Sequence, residues 1–498
     1  MKTIIVFSQN LMLGSFAKIK TELHLSDELV FVTTHHLYRN EKDYLKRLFR
    51  KCEFNSFADF LSDDEMADVD NAAFKTNKMP YNEYLNNIKR LKNKLVIKKV
   101  LKHYDSEYKY ILSDDLGIDI EMWKKEGFRP VYGEYYYNNK KETSLITGLK
   151  KAIKKNYIAM KIYYSLFKKH KYKEDEVYVG KYNGRKYVFL GKMDRIGYRL
   201  NIDFKISKEE CNRLNKGIYE KADYCTYMTT WHEHGKCHVP DKKKYEVRWA
   251  QDGYLPPNYS HKDYYFIPHN VKYYCWDELG THLFKNQGLP YEIIPFRKKL
   301  YLPNPEFPEE IKNVLIVASG SGDWTALKNR SDDDLLVEAF ARMAELFPDI
   351  SFVYRCHPSW VYPENVGVNS INRVVDYFKY LQLPNLVVSS NIPMANTGSE
   401  YILSFSRSSL QEDLKKADFV FGEHSISMID GAFMGIPFCS VNLTNRRNFF
   451  TGITELGFPQ CNSISDIERV IRVGMAREFK DNYLEAVKNY NFMTDKEA

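Results

Sequence analysis

The chain has 498 residues, more than one hydrophobic core ordinarily holds, so two domains are expected. Its apolar fraction of 44% and charged fraction of 28% are typical of a globular protein, and no stretch approaches the roughly 20 apolar residues of a membrane span. The net charge of +8 suits an anionic ligand or a membrane surface without requiring nucleic acid, so no nucleic-acid partner is predicted.

The cysteines and the N-terminus indicate a compartment. The eight cysteines are scattered and form no CxxC pair, which predicts free thiols in a reducing environment. The apolar run Ile4–Phe7 is too short for a signal peptide and predicts a first strand. We therefore expect a cytoplasmic protein.

Predicted strands and a predicted helix alternate in the N-terminal part of the chain. Short apolar runs at 3–8, 28–34 and 108–113 predict parallel strands, and residues 43–54 predict a helix between them. Alternating strands and helices favour a doubly wound α/β domain.

Polar pairs follow two of these predicted strands. His35 and His36 come after the second, and Asp114 and Asp115 come after the third. Strand ends of such a domain face a cleft, so both pairs are candidates for acceptor binding or for general-base work.

Residues 150–173 predict a basic amphipathic helix. Apolar residues recur there at steps of three and four, and lysines occupy many of the remaining positions. Such a helix either lies on an anionic membrane, here the cytoplasmic face of the inner membrane, or packs by its apolar stripe on the domain surface. Next, residues 176–190 predict a hairpin, because Asn183-Gly184 separates two alternating runs.

A second α/β series follows the proline-rich segment 301–308, which we interpret as the linker. Predicted strands lie at 313–318, 351–354, 386–389, 418–422 and 437–442. Ser331 caps a predicted helix that ends at Phe347, and the acidic residues after Ser331 favour a helix start there.

Three loops of this series fall at the same edge of the predicted sheet: 319–324, 355–358 and 422–427. Small residues let backbone amides approach an anion, serines at a helix start bind phosphate, and Arg355 and His357 add charge-assisted donors. The predicted binding residues for a nucleotide phosphate are Ser319, Gly320, Ser321, Gly322, Arg355, Pro358, Glu423, His424, Ser425 and Ser427. No acidic pair is obviously placed to hold a divalent ion, so neither a metal nor a cofactor is predicted.

These motifs carry a family resemblance. The run FVYRCHPSW, at 352–360, and the segment SFSRSSLQEDLKKADFVFGEHSISMIDGAFMGIPF, at 404–438, resemble the donor domain of bacterial GT-B glycosyltransferases that use CMP-activated ulosonic acids. GSGDW, which ends at Trp324, adds a likeness to the β-Kdo transferases of surface-polysaccharide assembly. The likeness covers the C-terminal domain well and the N-terminal half only in architecture.

The resemblance implies roles for matched positions. Asp323 corresponds to the catalytic carboxylate, which implies retention through a glycosyl-aspartate, and His357 corresponds to the histidine that stabilises the departing CMP phosphate. In related inverting sialyltransferases the carboxylate is a general base instead, and the sequence leaves both uses open. Candidate partners of the sugar carboxylate are Arg355, Arg407, Arg446 and the adjacent Arg447.

Three further sites are weaker candidates. Asp252, in the run Gln251-Asp252-Gly253, resembles the acidic motif that carries the base in some bacterial sialyltransferases, although glutamine replaces the first acid. Asp252 and Asp115 are second choices for a catalytic carboxylate. The WHEHGKCH run at 231–238 contains zinc-ligand types in a spacing that matches no structural zinc module, so a polar loop is favoured.

The predicted fold class is α/β, specifically GT-B, with two Rossmann-like domains that face a cleft. Residues 1–305 form the acceptor domain, 306–480 the domain that binds the CMP-sugar, and 481–498 a C-terminal tail or helix. The predicted reaction transfers Kdo or a related ulosonic acid to a surface polysaccharide or glycolipid. The alternatives are an inverting CMP-sialic acid transferase, a CDP-glycerol-type polyol phosphotransferase and a non-catalytic nucleotide- or carbohydrate-binding module.

Overall fold

The chain forms two compact units in the computed structural model. The structure describes residues 2–8, 13–25, 28–73, 81–106, 108–112, 118–131, 172–191, 200–230, 245–251, 272–286, 290–296, 301–319, 332–357, 370–390, 405–423, 425–443, 451–473 and 477–495. The first unit comprises Met1–Lys140, Pro303–Asn448 and Gly457–Leu484, and the second comprises Lys141–Leu302, Phe449–Leu456 and Glu485–Ala498.

The N-terminal strands form a parallel sheet in the first unit. They are β1 (Thr3–Phe7), β2 (Glu28–Thr33), β3 (Lys51–Ser56), β4 (Lys109–Leu112) and β5 (Arg129–Pro130), in the spatial order β3-β2-β1-β4-β5. All five residues of β1, TIIVF, are buried, as expected for a parallel strand covered on both faces. The described helices of this region are α1 (Phe16–Glu22), α2 (Arg39–Leu48), α3 (Asp63–Ala73), α4 (Tyr81–His103) and α5 (Ile120–Lys125), with 3₁₀ turns at Leu13–Ser15 and Phe57–Phe60.

The predicted helix 43–54 is wrong in its second half. Helix α2 ends at Leu48, and Phe49 already has extended backbone angles, φ −133° and ψ 135°. Residues Lys51–Ser56 form β3 instead and pair in register with β2. Pairing with a neighbouring strand supplies a backbone hydrogen-bond partner at every second residue, and this tertiary contribution outweighs the weak local preference for helix.

The second unit contains a sheet of mixed direction. Its strands are β6 (Val177–Tyr182), β7 (Arg185–Leu190), β8 (Lys205–Ile206), β9 (Cys225–Thr230), β10 (Glu246–Ala250), β11 (Lys272–Cys275) and β12 (Tyr291–Ile293), in the order β12-β11-β10-β9-β7-β6-β8. The described helices are α6 (Lys208–Asn215) and α7 (Glu278–Asn286), with a 3₁₀ turn at Glu174–Glu176. From β7 to β12 the strands are parallel and their spatial order follows the chain without reversing.

The predicted hairpin is confirmed within this sheet. Strands β6 and β7 pair antiparallel, from Val177 opposite Leu190 to Tyr182 opposite Arg185. Asn183 and Gly184 both have positive φ, 47° and 77°, as the two-residue turn requires.

The C-terminal strands form a parallel sheet in the first unit. They are β13 (Asn313–Val317), β14 (Ser351–Arg355), β15 (Leu386–Ser390), β16 (Phe405–Arg407), β17 (Phe419–Gly422), β18 (Phe438–Val441) and β19 (Gln460–Cys461), in the order β16-β15-β14-β13-β17-β18-β19. The described helices are α8 (Asp332–Leu346), α9 (Ser370–Leu381), α10 (Leu410–Lys416), α11 (Ser427–Phe433), α12 (Thr451–Thr454), α13 (Ile464–Val473) and α14 (Arg477–Asp495). The five strands predicted for this region are confirmed.

Both sheets of the first unit follow the Rossmann pattern. In each, the chain moves outward from a central strand and then returns to the other side, at β1 and β4 in the N-terminal sheet and at β13 and β17 in the C-terminal sheet. The fold class is therefore α/β with two Rossmann-like parallel sheets, which are the components of the predicted GT-B fold.

A buried ion cluster joins these two sheets within the first unit. Arg373 of α9 donates to Glu41 of α2 from Nε and Nη2, each at 2.8 Å, and lies 3.3 Å from Asp334 of α8. Tyr38 stacks on Tyr377 with ring centroids 4.8 Å apart. Burial acts to lower the pKa of Arg373, but the two carboxylates raise it well above its ordinary value, so the guanidinium stays charged.

The compact units divide the chain differently from the predicted domains. Residues 1–140 belong with the C-terminal sheet, whereas the prediction placed all of 1–305 in one domain. The predicted tail, 481–498, continues helix α14, which runs to Asp495. Its last turns belong to the second unit, where Asn491 bonds both to the amide and to the carbonyl of Leu302, at 2.8 and 2.9 Å.

Candidate functional site

The candidate site lies at the carboxyl edge of the C-terminal sheet. Strand β13 pairs in parallel with β14 on one side and with β17 on the other, and Val317 lies opposite both Arg355 and Gly422. The segments that follow these three strands, which begin at Ala318, Cys356 and Glu423, therefore leave the sheet side by side. In open α/β sheets a ligand binds at such a point, where the strand order reverses.

Glycine at the end of β17 allows this close packing. A Cβ on Gly422 would lie 2.7 Å from Cγ2 of Val317, closer than real contacts permit, and 3.1 Å from the Val317 carbonyl oxygen, which is a tight contact. The Sδ atom of Met428 would lie 3.1 Å away on the helix side. The sequence singled out the serines after β17, but Gly422 is what lets β13, β17 and helix α11 meet there.

Five of the predicted phosphate-binding residues are described around this edge, Ser319, Arg355, Glu423, Ser425 and Ser427, and so is the predicted catalytic residue His357. Ser319 and His357 are half-buried, and Glu423 and Ser425 are buried. The Ser440 hydroxyl on β18 donates to the carbonyl oxygen of Glu423 at 3.2 Å, which fixes the backbone after β17.

Helix α11 starts beside the two serines that the sequence predicts to bind phosphate at a helix start. The helix begins at Ser427, its N-cap residue is Ile426, and no side chain caps it. The carbonyl oxygen of Ser425 accepts the Met428 amide at 3.1 Å, so Ser425 joins the first turn through its main chain. The seven-residue helix and these two serines lie at the predicted edge, but neither serine hydroxyl acts as a cap.

Several predicted residues lie outside the described part of the chain. They are Gly320, Ser321, Gly322, Asp323, Pro358, His424, Arg446 and Arg447 at the C-terminal sheet, and Asp114, Asp115, Asp252 and the WHEHGKCH run elsewhere. The backbone of Arg407 ends strand β16. The basic helix 150–173 is described only at its last two residues.

Arg355 is committed to a buried network that the sequence did not reveal. Its Nη1 donates to Oδ2 of Asp413 at 2.8 Å, to the Ser408 carbonyl at 2.6 Å and to the Ser389 hydroxyl at 3.0 Å. Only 8% of the Arg355 side chain and 5% of the Asp413 side chain are exposed. Arg355 lies where the prediction puts it, at the end of β14, but its guanidinium reaches along the sheet towards β15 and the end of β16.

Asp413 could not be identified from its sequence context. Ser409 and Glu412 form a capping box at the start of helix α10, with the Glu412 amide donating to the Ser409 hydroxyl at 3.2 Å. That signature predicts a helix start, where acidic residues are ordinarily exposed and interact with the helix dipole. Glu412 follows the rule, but Asp413 points into the sheet because β14 supplies a buried cation opposite it.

The predicted acceptor histidines follow β2 at the carboxyl edge of the N-terminal sheet. His35 is buried, its Nδ1 has no hydrogen-bond partner, and its ring packs against Phe7 with centroids 5.8 Å apart. Burial, helped by the nearby Arg373 cation, lowers the pKa of His35 well below its ordinary value, so the ring is neutral at neutral pH. His36 instead bonds through Nε2 to Glu338 of α8, at 2.6 Å.

At the middle sheet, Gln251 has a structural partner. Its Oε1 accepts the Trp276 amide at 2.9 Å, which ties the end of β10 to the residue after β11. Asp277 then accepts the Gly280 amide at 2.8 Å at the start of helix α7. A Cβ on Gly280 would overlap the Gln251 carboxamide, so this glycine lets the helix approach.

The described residues form neither a metal site nor a membrane span. Among them, no group of three or more histidine, cysteine, aspartate or glutamate side chains is arranged to hold a metal ion. Within the same residues, no helix combines the length and the apolar character needed to cross a membrane.

Comparisons with known proteins give only weak likenesses. No protein-family model matches the chain, and no curated protein matches its sequence. A chain of the GtfA/B complex is 12% identical with a TM-score of 0.32, and the match covers 59% of this chain and 59% of the other. The UDP-GlcNAc 2-epimerase from Neisseria meningitidis bound to UDP-GlcNAc is 12% identical with a TM-score of 0.23. Anabaena Alr3699/HepE in complex with UDP is 9% identical with a TM-score of 0.28. Each of these two matches covers 99% of this chain and 95% of the other. Likeness at this level identifies neither a family nor an activity.

Proposed function

We propose that the chain is a glycosyltransferase of GT-B architecture that binds a nucleotide-activated sugar at the carboxyl edge of its C-terminal sheet. The supporting observation is the reversal of strand order at β13 and β17, where Ser319, His357 and Glu423 follow adjacent strands. Small, polar and imidazole groups at such a point suit a nucleotide phosphate. The CMP-binding residues are those that the sequence predicts in these loops.

The proposed donor is CMP-Kdo or another CMP-ulosonic acid. In this proposal a carboxylate oxygen of Asp323 attacks the anomeric carbon, the bond to the CMP phosphate breaks, and CMP leaves with the electron pair. His357 stabilises the charge on the departing phosphate, and the acceptor hydroxyl then displaces the aspartate with overall retention. Arg407 and Arg446 are the proposed partners of the sugar carboxylate.

A donor panel tests the proposal directly. The melting temperature of the purified protein is measured with CMP, CMP-Kdo, CMP-sialic acid, CDP-glycerol and UDP-glucose, because a ligand that binds the folded state raises it. We expect CMP and CMP-Kdo to raise it and UDP-glucose to leave it unchanged. His357→Ala should reduce the shift, whereas His103→Ala, an exposed histidine at the end of α4, should keep it.

The panel also separates the alternatives. A shift with CDP-glycerol alone would replace the proposal by a polyol phosphotransferase, and a shift with CMP-sialic acid alone would favour a sialyltransferase. Tight CMP binding without release of CMP from any donor, with or without an acceptor glycan, would indicate a non-catalytic module. No shift with any nucleotide would reject the proposed site.

The acceptor is proposed to be a bacterial surface polysaccharide or glycolipid, with the lysine-rich helix 150–173 holding the protein to the cytoplasmic face of the inner membrane. Co-sedimentation with vesicles that contain anionic phospholipid tests this part alone. Binding that disappears at high salt supports it, because screened charges no longer attract the headgroups. Equal binding to neutral vesicles would reject the electrostatic account.

A further inference from the structure

Asp413 lies in an environment unlike that of its neighbours in helix α10. Glu412, Lys415 and Lys416 are exposed, as expected for a short surface helix. Asp413 as a whole residue is only 7% exposed. Its carboxylate accepts hydrogen bonds from Arg355, from the Ser389 hydroxyl and from the Ser408 hydroxyl. Three groups that come from three separate segments of the chain thus meet around one carboxylate.

This carboxylate holds the end of strand β14, which leads into the His357 loop. The Arg355 carbonyl accepts the Ala318 amide at 3.1 Å on the β13 side, and the Cys356 amide donates to the Ser389 carbonyl at 3.0 Å on the β15 side. The Arg355 guanidinium adds a third attachment through Asp413. His357 follows two residues after Arg355, so its position depends on where these attachments leave the chain.

The energetics favour a positional role over a purely stabilising one. Two charges removed from water lose hydration that their mutual attraction regains only in good geometry, and well-packed apolar residues at such positions often give equal stability. What an ion pair with several hydrogen bonds adds is a defined orientation, since each bond restricts the angle of the guanidinium plane.

We propose that Asp413 is a positioning residue for His357: it orients Arg355 and thereby sets the imidazole beside the leaving phosphate. The effect on catalysis rests on the proposed function, whereas the positioning of His357 by Asp413 does not. Asp413 also lies in the first turn of helix α10, which leads to β17, so one carboxylate links the segment after β14 to the chain that supplies Glu423.

The first test is a double-mutant cycle on donor turnover, with Asp413→Asn and His357→Ala. A misplacement of about 1 Å can reduce a rate about 100-fold, so we expect Asp413→Asn to lower kcat/KM for the donor by roughly that factor. In the His357→Ala background the same substitution should change kcat/KM by less than about twofold. Additive losses would overturn the inference, because Asp413 would then act independently of the histidine.

A second measurement needs no activity. In protein labelled with ¹³C at histidine, Asp413→Asn should shift the ring resonance of His357, whereas Glu412→Gln, the exposed neighbour, should leave it in place. An unmoved His357 resonance would overturn the inference even if the enzyme turned over. An absence of turnover combined with a shifted resonance would reject the proposed function and retain the positional link.

Removing one partner of a buried pair can unfold a protein, so two milder variants accompany the test. Ser389→Ala removes one hydroxyl from the network and keeps both charges. The double variant Arg355→Met with Asp413→Leu removes both charges and fills the site with apolar side chains. If both variants fold, with unchanged circular dichroism, but keep the wild-type His357 resonance, the network does not position the histidine.

Discussion

The C-terminal and middle sheets both contain a run of parallel strands, but they order those strands differently. In the C-terminal sheet the chain moves from β13 through β14 and β15 to β16 and then returns to place β17 on the other side of β13. In the middle sheet it moves from β7 through β9 to β12 in one direction. Only a reversal makes two neighbouring loops diverge to opposite faces of a sheet, and this divergence leaves a crevice between them.

The difference explains why chemistry-bearing residues cannot be judged by type alone. Both sheets have polar residues after their strands: Ser319 and His357 at one, Gln251 and Asp277 at the other. At the C-terminal sheet, Ser319 follows β13, where the strand order reverses, and His357 follows the neighbouring strand β14. At the middle sheet both residues bond to backbone amides: Gln251 ties the end of β10 to the residue after β11, and Asp277 bonds within the start of helix α7.

The largest expected effect tests this contrast on activity. Asp323→Asn should reduce transfer by about 1,000-fold or more, since removal of a nucleophile removes the step that depends on it. Asp252→Asn, after β10 of the middle sheet, should reduce it by less than about tenfold. Transfer is measured as CMP release from the best donor in the presence of acceptor.

The matched control is Asp349→Asn, an exposed aspartate in the turn before β14, which should retain full activity. Intact mass after incubation with donor should show a glycosyl adduct in wild type and none in Asp323→Asn. If Asp252→Asn is the inactive variant, the chemistry belongs to the middle sheet and the contrast is reversed.

The next effect concerns the glycines that allow close packing in each sheet. Gly422→Ala and Gly280→Ala should each destabilise by about 1–3 kcal/mol, the ordinary cost of overpacking. The two should differ in rescue. Gln251→Ala removes the atoms that obstruct a Cβ on Gly280, whereas Val317→Ala removes the nearest obstacle to a Cβ on Gly422 but leaves the Val317 backbone oxygen 3.1 Å away. Urea unfolding measures the change, and CMP binding should weaken only in Gly422→Ala.

If shortening the neighbouring side chain restores the stability of Gly422→Ala as fully as that of Gly280→Ala, the packing between β13 and β17 is no tighter than that at Gly280. An unchanged CMP affinity in a folded Gly422→Ala variant would separate this glycine from the binding site.

The smallest expected effect is the contribution of two carboxylates, Glu338 and Glu220, to the pH dependence of stability. Burial acts to raise the pKa of Glu338 and of Glu220, but His36 lowers the first, and Lys186 and Arg213 lower the second, so both fall below the ordinary value. A carboxylate whose pKa is lower in the folded state than in the unfolded state stabilises the protein at pH values above the unfolded pKa of about 4.5. This stabilisation is lost as the pH falls through the folded-state pKa.

Glu338→Gln and Glu220→Gln should therefore each flatten the decline in stability below about pH 5, by no more than about 1 kcal/mol because both pairs are partly exposed. Melting temperatures between pH 7 and pH 3.5 measure it. A larger effect for either residue would mark that pair as more important to its unit than its exposure indicates.

Local patterns in the sequence were sufficient where the determining interactions are local. The Asn183-Gly184 turn predicted its hairpin, because positive φ at two successive positions depends on these residue types. The apolar runs of the C-terminal series predicted its strands, because a strand buried on both faces needs an uninterrupted run. The position of His357 after β14 followed from the proline beside it.

The sequence was insufficient where the partner lies far along the chain. Residues Lys51–Ser56 became a strand through pairing with β2, and residues 1–140 joined the C-terminal sheet through Arg373, which lies more than 300 residues from Glu41. Asp413 has the local signature of an exposed helix start and is buried only because Arg355, 58 residues earlier, reaches it.

By itself, then, the amino-acid sequence determined the α/β class, the strands of the C-terminal sheet and the loops in which a ligand site would lie, since each depends on periodicity and turn residues within about ten positions. Only the tertiary structure decided which strands are neighbours, and hence that β13 separates β14 from β17 while β7 to β12 follow one another. Strand order is set by the burial of whole faces against helices, a free energy summed over distant residues that no local pattern contains.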